Sequence, residues 1–165
     1  MNEADRDLGR RCFDEVWNKG QREAIGQLFA PNVLVHDGST TTSGPGAFYQ
    51  FYDRINAAFT GTHVEVEDNF TEGDRICVRW TCTATHNGPG LGVPPTGRKI
   101  RVTGISIARV ANQQFVEVWQ NWDMLGMMEQ IKNLDQSPTY IAETKSAAVA
   151  YLGHYSPGRS QPIDG

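Results

Sequence analysis

Long apolar runs are missing from this 165-residue chain, so no segment reaches the length that a membrane-spanning helix needs. Clusters of Lys or Arg are missing too. With a formal charge of −4 and a pI near 5.5, the sequence lacks the cationic footprint by which proteins hold nucleic acid or an anionic membrane surface. Cysteine is scarce: Cys12, Cys77 and Cys82 are odd in number and show no C-x-x-C spacing, which signals neither a disulfide framework nor a zinc site. They read as buried thiols in a reducing compartment. The opening stretch MNEADRDLGRRCF is too charged for a secretory leader, so a cytoplasmic location is expected.

Hydrophobic residues make up 39% of the chain and aromatics 10%, enough for one domain whose core can surround a small-molecule cavity. Leu8, Cys12, Phe13, Val16 and Trp17 recur at helical spacing between Ala4 and Asn18, and Gly20 ends that helix. A short helix over Arg22–Phe29 stops before Pro31, and the strand VLVH follows. After the polar loop DGSTTTSG, Pro45 opens a third helix with Phe48, Phe51, Tyr52, Ile55 and Phe59 in one stripe. From His63 the period becomes two, with Val64, Val66, Asp68 and Phe70 on one side and Ile76, Val78, Trp80, Cys82 and Ala84 on one face of the next strand. A second hairpin joins KIRVTGISIARV to QFVEVWQNWD through Ala111 to Gln113. Helices first and antiparallel strands afterwards predict an α+β domain, with N-terminal helices packed in a strongly curved antiparallel sheet.

Two segments depart from this order. HNGPGLGVPPTGR, His86 to Arg98, is longer and stiffer than a strand connection needs and is expected to cover a pocket mouth. The chain after Asn133 restarts at Ser137-Pro138 as a helix that docks on the domain or on a partner chain, followed by a disordered end.

Pairing Ala111 with Gln114 and counting back predicts that Val102, Gly104, Ser106 and Ala108 share a face with Glu117, Trp119, Asn121 and Asp123. The opposite face, with Ile105, Ile107, Val116, Val118 and Trp122, is apolar and calls for a cover, such as another subunit. His86 is in phase with the apolar set of its strand and His36 with Leu34, so both histidines and Asp123 are candidates to converge on one cavity. Each residue also has a plainer role. Asp123 stands before MLGMMEQI, where aspartate is a preferred helix N-cap. Trp17, Trp80 and Trp119 suit a core as well as a ligand platform, and single histidines are more often structural than catalytic.

The stretches APNVLVHDG, GTHVEVEDNFTEGDRICVRWTCTATHNGPGLGVPPTGRKIRVTGISIARV and VEVWQNWDMLGMMEQI together resemble the SnoaL-like polyketide cyclase or ester cyclase family of the nuclear transport factor 2 superfamily. The resemblance runs over roughly residues 10–131, and its most specific pieces are the T-H-x-G…G-x-P-P-T-G loop and the W-x-x-x-D-x-x-G-x-x-x-Q ending. It implies a cone of sheet around helices over residues 1–131, with 132–165 as an extension. It also implies that Asp123 is the acid/base residue of an intramolecular aldol closure on a polyketide-like molecule, with no metal or organic cofactor. Histidines matching His86 and His36 are frequent in the family.

On that reading His86 and Asn121 polarise the acceptor carbonyl, and His36 orients one of them. Trp119, Met124 and Leu125 surround the carboxylate and disfavour its charge. Trp17, Trp80, Trp119, Asn121, Phe51 and Met124 contact an apolar substrate, and the outer sheet face makes a homodimer or homotetramer. A dehydratase, isomerase or hydrolase on the same cone, and a non-catalytic binding module, are the alternatives.

Overall fold

The computed structural model describes residues 3–133, so the expected C-terminal helix and tail lie outside the described residues. Helix α1 (Glu3–Arg11) continues without a break into a π-helical turn, Cys12–Asn18. Its buried residues are Cys12 and Val16. Gly20 then takes a left-handed φ of 68° that few other residues adopt. Helix α2 (Ala24–Leu28) and helix α3 (Gly46–Ala58) follow, with strand β1 (Phe29–Asp37) and strand β2 (Thr40–Ser43) between them. The long strands are β3 (Phe59–Glu72), β4 (Arg75–His86), β5 (Lys99–Ala111) and β6 (Gln114–Trp122), and helix α4 (Met124–Lys132) closes the series.

The six strands form one curled, unclosed sheet in the order β2-β1-β6-β5-β4-β3. All neighbours are antiparallel except β1 and β6, which run parallel. The helices lie against the inner face of the curl, where Leu8, Val16, Ile25 and Leu28 are fully or almost fully buried with Ile76 and Val33. This is the α+β architecture expected from the sequence.

Two expectations about the strands change. The stretch TTTS, read as part of a loop, pairs with β1 as strand β2, and Phe59, read as the end of the third helix, begins β3. More consequential are the bulges. The turn pairing is as expected, Ala111 with Gln114, but Arg109 then pairs with Glu117, so Val116 is an extra residue on β6. Every residue beyond it changes face. Val118, Gln120 and Trp122 therefore share the inner face with Val102, Ser106 and Ala108, whereas Glu117, Trp119 and Asn121 lie outside with Ile105 and Ile107. A second bulge, at Glu67 on β3, does the same to Phe70, which alternation from Val64 and Val66 assigns to their side and which is 62% exposed.

Candidate active site

The inner face and the helices enclose a cavity of about 110 Å³. Its wall is aromatic and aliphatic. Phe13 and Trp17 reach it from the π-helical turn, Phe48, Phe51 and Ile55 from α3, Val78 and Trp80 from β4, and Val118 and Trp122 from β6. The ring of Trp17 meets Phe51 edge to face at 5.9 Å, and Phe51 meets Trp122 at 6.1 Å. Trp80 lies across Gly104, where a Cβ would stand only 2.3 Å from the indole, so glycine is what admits the ring. Of the expected substrate contacts, Trp17, Trp80 and Phe51 line this cavity.

Polar groups on the wall are few: Cys12, Thr62, Cys82, Ser106 and Gln120, with the Trp80 Nε1–H. Trp80 Nε1 donates to Ser106 Oγ at 3.1 Å. Burial pushes the Cys12 thiol up to about 12 and Cys82 to about 11, so neither supplies a thiolate nucleophile near neutrality. Ser106 and Gln120 carry no motif, and sequence inspection missed the pair because the bulge at Val116 hides their common face.

The expected convergence of Asp123, His86 and His36 is not found. Asp123 is exposed and caps α4: its Oδ1 accepts from the Gly126 N–H at 2.8 Å, and its backbone N–H donates to Thr103 O. Gly126 leaves room for this, since a Cβ there would stand 2.1 Å from Oδ2. Trp122, which precedes this residue, and Met127, whose N–H donates to its backbone carbonyl, both line the cavity, whereas Asp123 does not. The expected apolar shell is absent, because Met124 and Leu125 are 52% and 71% exposed and Trp119 lies on the other side of the sheet. Met127, three residues after Met124, takes the wall position instead.

His86 is fully buried but does not line the cavity. It anchors the loop that follows it: the ring Nδ1 is 3.1 Å from Thr96 Oγ1, its carbonyl accepts from Thr96 and Gly97, and its N–H donates to Arg98. The loop itself packs Leu91 and Val93 onto the core and contributes no residue to the cavity wall. His36 lies on the outer face, stacked on Trp119 at 5.3 Å, with Nδ1 2.9 Å from Thr41 Oγ1 and Nε2 3.0 Å from Glu117 Oε1. Arg109 Nη2 donates to the other oxygen of Glu117 at 3.0 Å. Asn121 is exposed on the same outer side. The bulge at Val116 is the physical reason, since it turns Trp119 and Asn121 away from Ser106.

No group of three or more His, Cys, Asp or Glu among the described residues has a metal-binding arrangement, and no described helix is long and apolar enough to cross a membrane.

Comparison with known proteins adds the family. The description of SnoaL-like polyketide cyclases matches residues 8–131. A candidate SnoaL-like polyketide cyclase from Jannaschia Sp. CCS1 is 27% identical, with 78% of this chain and 91% of that chain covered and a TM-score of 0.71. Wild-type IdmH, a candidate polyketide cyclase from Streptomyces antibioticus, is 26% identical over 79% of this chain and 99% of its own, at a TM-score of 0.69. AclR, a candidate hydroxylase from Streptomyces galilaeus, shares the fold at a TM-score of 0.75, with 23% identity over 92% of this chain and 98% of its own. No curated protein matches the sequence. An α+β curl of six strands, an aromatic cavity on its inner face and the family match over 8–131 together establish that the chain belongs to the SnoaL-like polyketide cyclase family.

Proposed function

We propose that the protein closes a ring on a polyketide-like small molecule by acid/base chemistry, with Asp123 as the base and no metal or organic cofactor. The cavity takes the apolar part of the substrate. An apolar cavity of roughly 150 Å³ accepts one benzene ring, so a larger skeleton extends from this one toward its rim. The observation that supports the reading is that Asp123 directly follows Trp122 and that its backbone carbonyl accepts from the N–H of Met127, both of them cavity-lining residues. The cap through Oδ1 fixes the carboxylate there.

In the step proposed, the carboxylate takes a proton from a methylene flanked by carbonyls, and the resulting enolate carbon bonds to a second carbonyl carbon of the same molecule. The proton returns to the oxygen of that second carbonyl, giving a hydroxyl. Asp123 is exposed in the free protein, so the apolar substrate itself would strip water from it. Holding the chain folded supplies the rest of the rate. His36 and His86 enter as positioning groups, His36 through Glu117 on β6 and His86 through the loop it anchors. The outer sheet face, with Leu34, Ile105 and Ile107 exposed, is proposed to join copies of the chain into a homo-oligomer.

Asparagine caps a helix about as well as aspartate but cannot act as the base. Asp123→Asn is expected to keep the melting temperature and to lose product formation on polyketide methyl esters that the wild type cyclises. Undiminished turnover by the variant would exclude Asp123 as the base.

A further inference from the structure

We propose that Ser106 and Gln120 form an oxygen-binding subsite in the cavity wall, selecting ligands that carry a neutral carbonyl or hydroxyl oxygen on an apolar, flat skeleton. This deepens the cyclase reading and rests on the cavity being the substrate site.

The two residues are direct partners across β5 and β6, and both point inward. Side chains so paired have Cβ atoms roughly 5 Å apart, close enough to grip one atom between them. Trp80 Nε1–H already occupies a lone pair of Ser106 Oγ, which leaves the serine hydroxyl as a donor. Gln120 makes no side-chain hydrogen bond to the protein among the described residues, although it is only partly exposed. Its partly exposed amide is not among the buried unpartnered groups of the described residues, so it is open to exchange water for a ligand oxygen. Its NH₂ and the serine hydroxyl can both donate to a ligand carbonyl, and its own oxygen can accept from a ligand hydroxyl.

The surrounding wall sharpens the selection. Val78, Val102, Ala108, Val118 and Trp122 are apolar, and no Lys, Arg, Asp or Glu lines the cavity among the described residues. A carboxylate would enter without a counter-charge, and an ammonium likewise, so a neutral oxygen is the match. Thr62 Oγ1, also on the wall and buried without a partner, lies at the level of Ala84 on β4, whereas Ser106 pairs with Val78. Those levels are roughly 20 Å apart along the strand, so Thr62 cannot serve the same oxygen and provides an internal control.

The test compares 2-acetylnaphthalene with 2-isopropenylnaphthalene, which replaces C=O by C=CH₂ at nearly constant shape, and with 2-naphthoate, by equilibrium dialysis against the full chain. The wild type is expected to bind the ketone about five- to tenfold more tightly than the alkene, the margin of a neutral hydrogen bond, and the naphthoate more weakly than the ketone. With the circular dichroism spectrum unchanged, Ser106→Ala and Gln120→Leu should each reduce that ketone-to-alkene affinity ratio. Thr62→Val should keep it. Equal affinity of the wild type for ketone and alkene, or a preference that survives both substitutions or disappears in Thr62→Val, overturns the subsite and leaves the cyclase reading standing. Failure of both probes to bind the wild type overturns the subsite together with the cavity as a substrate site.

Discussion

At the scale of single residues, Asp123 combines a cap and a proposed base in one carboxylate, and two substitutions separate them. Asp123→Ala removes the acceptor for Gly126 N–H and is expected to cost about 1 kcal/mol of stability in urea denaturation, whereas Asp123→Asn should cost far less. If Asn and Ala lose turnover equally while only Ala loses stability, the base and the cap are distinct functions of the same group. The buried thiol of Cys12 gives a second prediction. Burial raises its folded value to about 12 from the ordinary 9.0, so the unfolded chain releases this proton first as pH climbs. Stability from this group is therefore complete below pH 9 and declines between pH 9 and about 12. Cys12→Val should show a shallower alkaline loss of the urea midpoint than the wild type. Residues were legible in the sequence where their role depends on size and strand phase alone. Trp80 is one such case, and Trp17 and Phe51 follow likewise from helical phase, whereas Trp119 and Asn121 depend on a register that the chain does not keep and Met124 on a helix face that turns outward.

At the scale of elements, periodicity identified the helices and the four long strands, and failed where one strand carries an extra residue. The bulges at Val116 and Glu67 have no marker in composition: both positions are ordinary strand residues, and only the pairing partner reveals the surplus. A period-two reading extrapolated across either inverts everything beyond it, which hides Gln120 and puts Phe70 on the wrong face. The turn before the first of these bulges was legible and can be improved. Asn112 and Gln113 hold left-handed φ values of 52° and 61°, the pattern of a tight hairpin turn. Asparagine tolerates this conformation, but glutamine does so at a cost of about 1 kcal/mol. Gln113→Gly should raise the urea midpoint by a corresponding amount without changing the cavity, read as unchanged Trp fluorescence.

At the scale of the whole molecule, the outer sheet face carries both the exposed Ile105 and Ile107 and the polar group of His36, Glu117 and Arg109. A charge placed in the apolar part should prevent copies from meeting there. For the oligomer proposed above, Ile105→Glu is expected to shift the light-scattering mass to that of a monomer, and an unchanged mass would exclude this face as the interface. One feature of the sheet also bears on how the chain reaches its structure. Strands β3 to β6 pair in sequence order, but β1 joins β6 in parallel, and the His36–Glu117 bond across that seam links residues 81 positions apart. Closing so long a loop delays its contacts relative to local ones. Pulsed hydrogen exchange during refolding should therefore find amides of β4 and β5 protected before those of β1, so that the chain acquires its outer wall as a meander and gains an enclosed interior only when the N-terminal strand arrives.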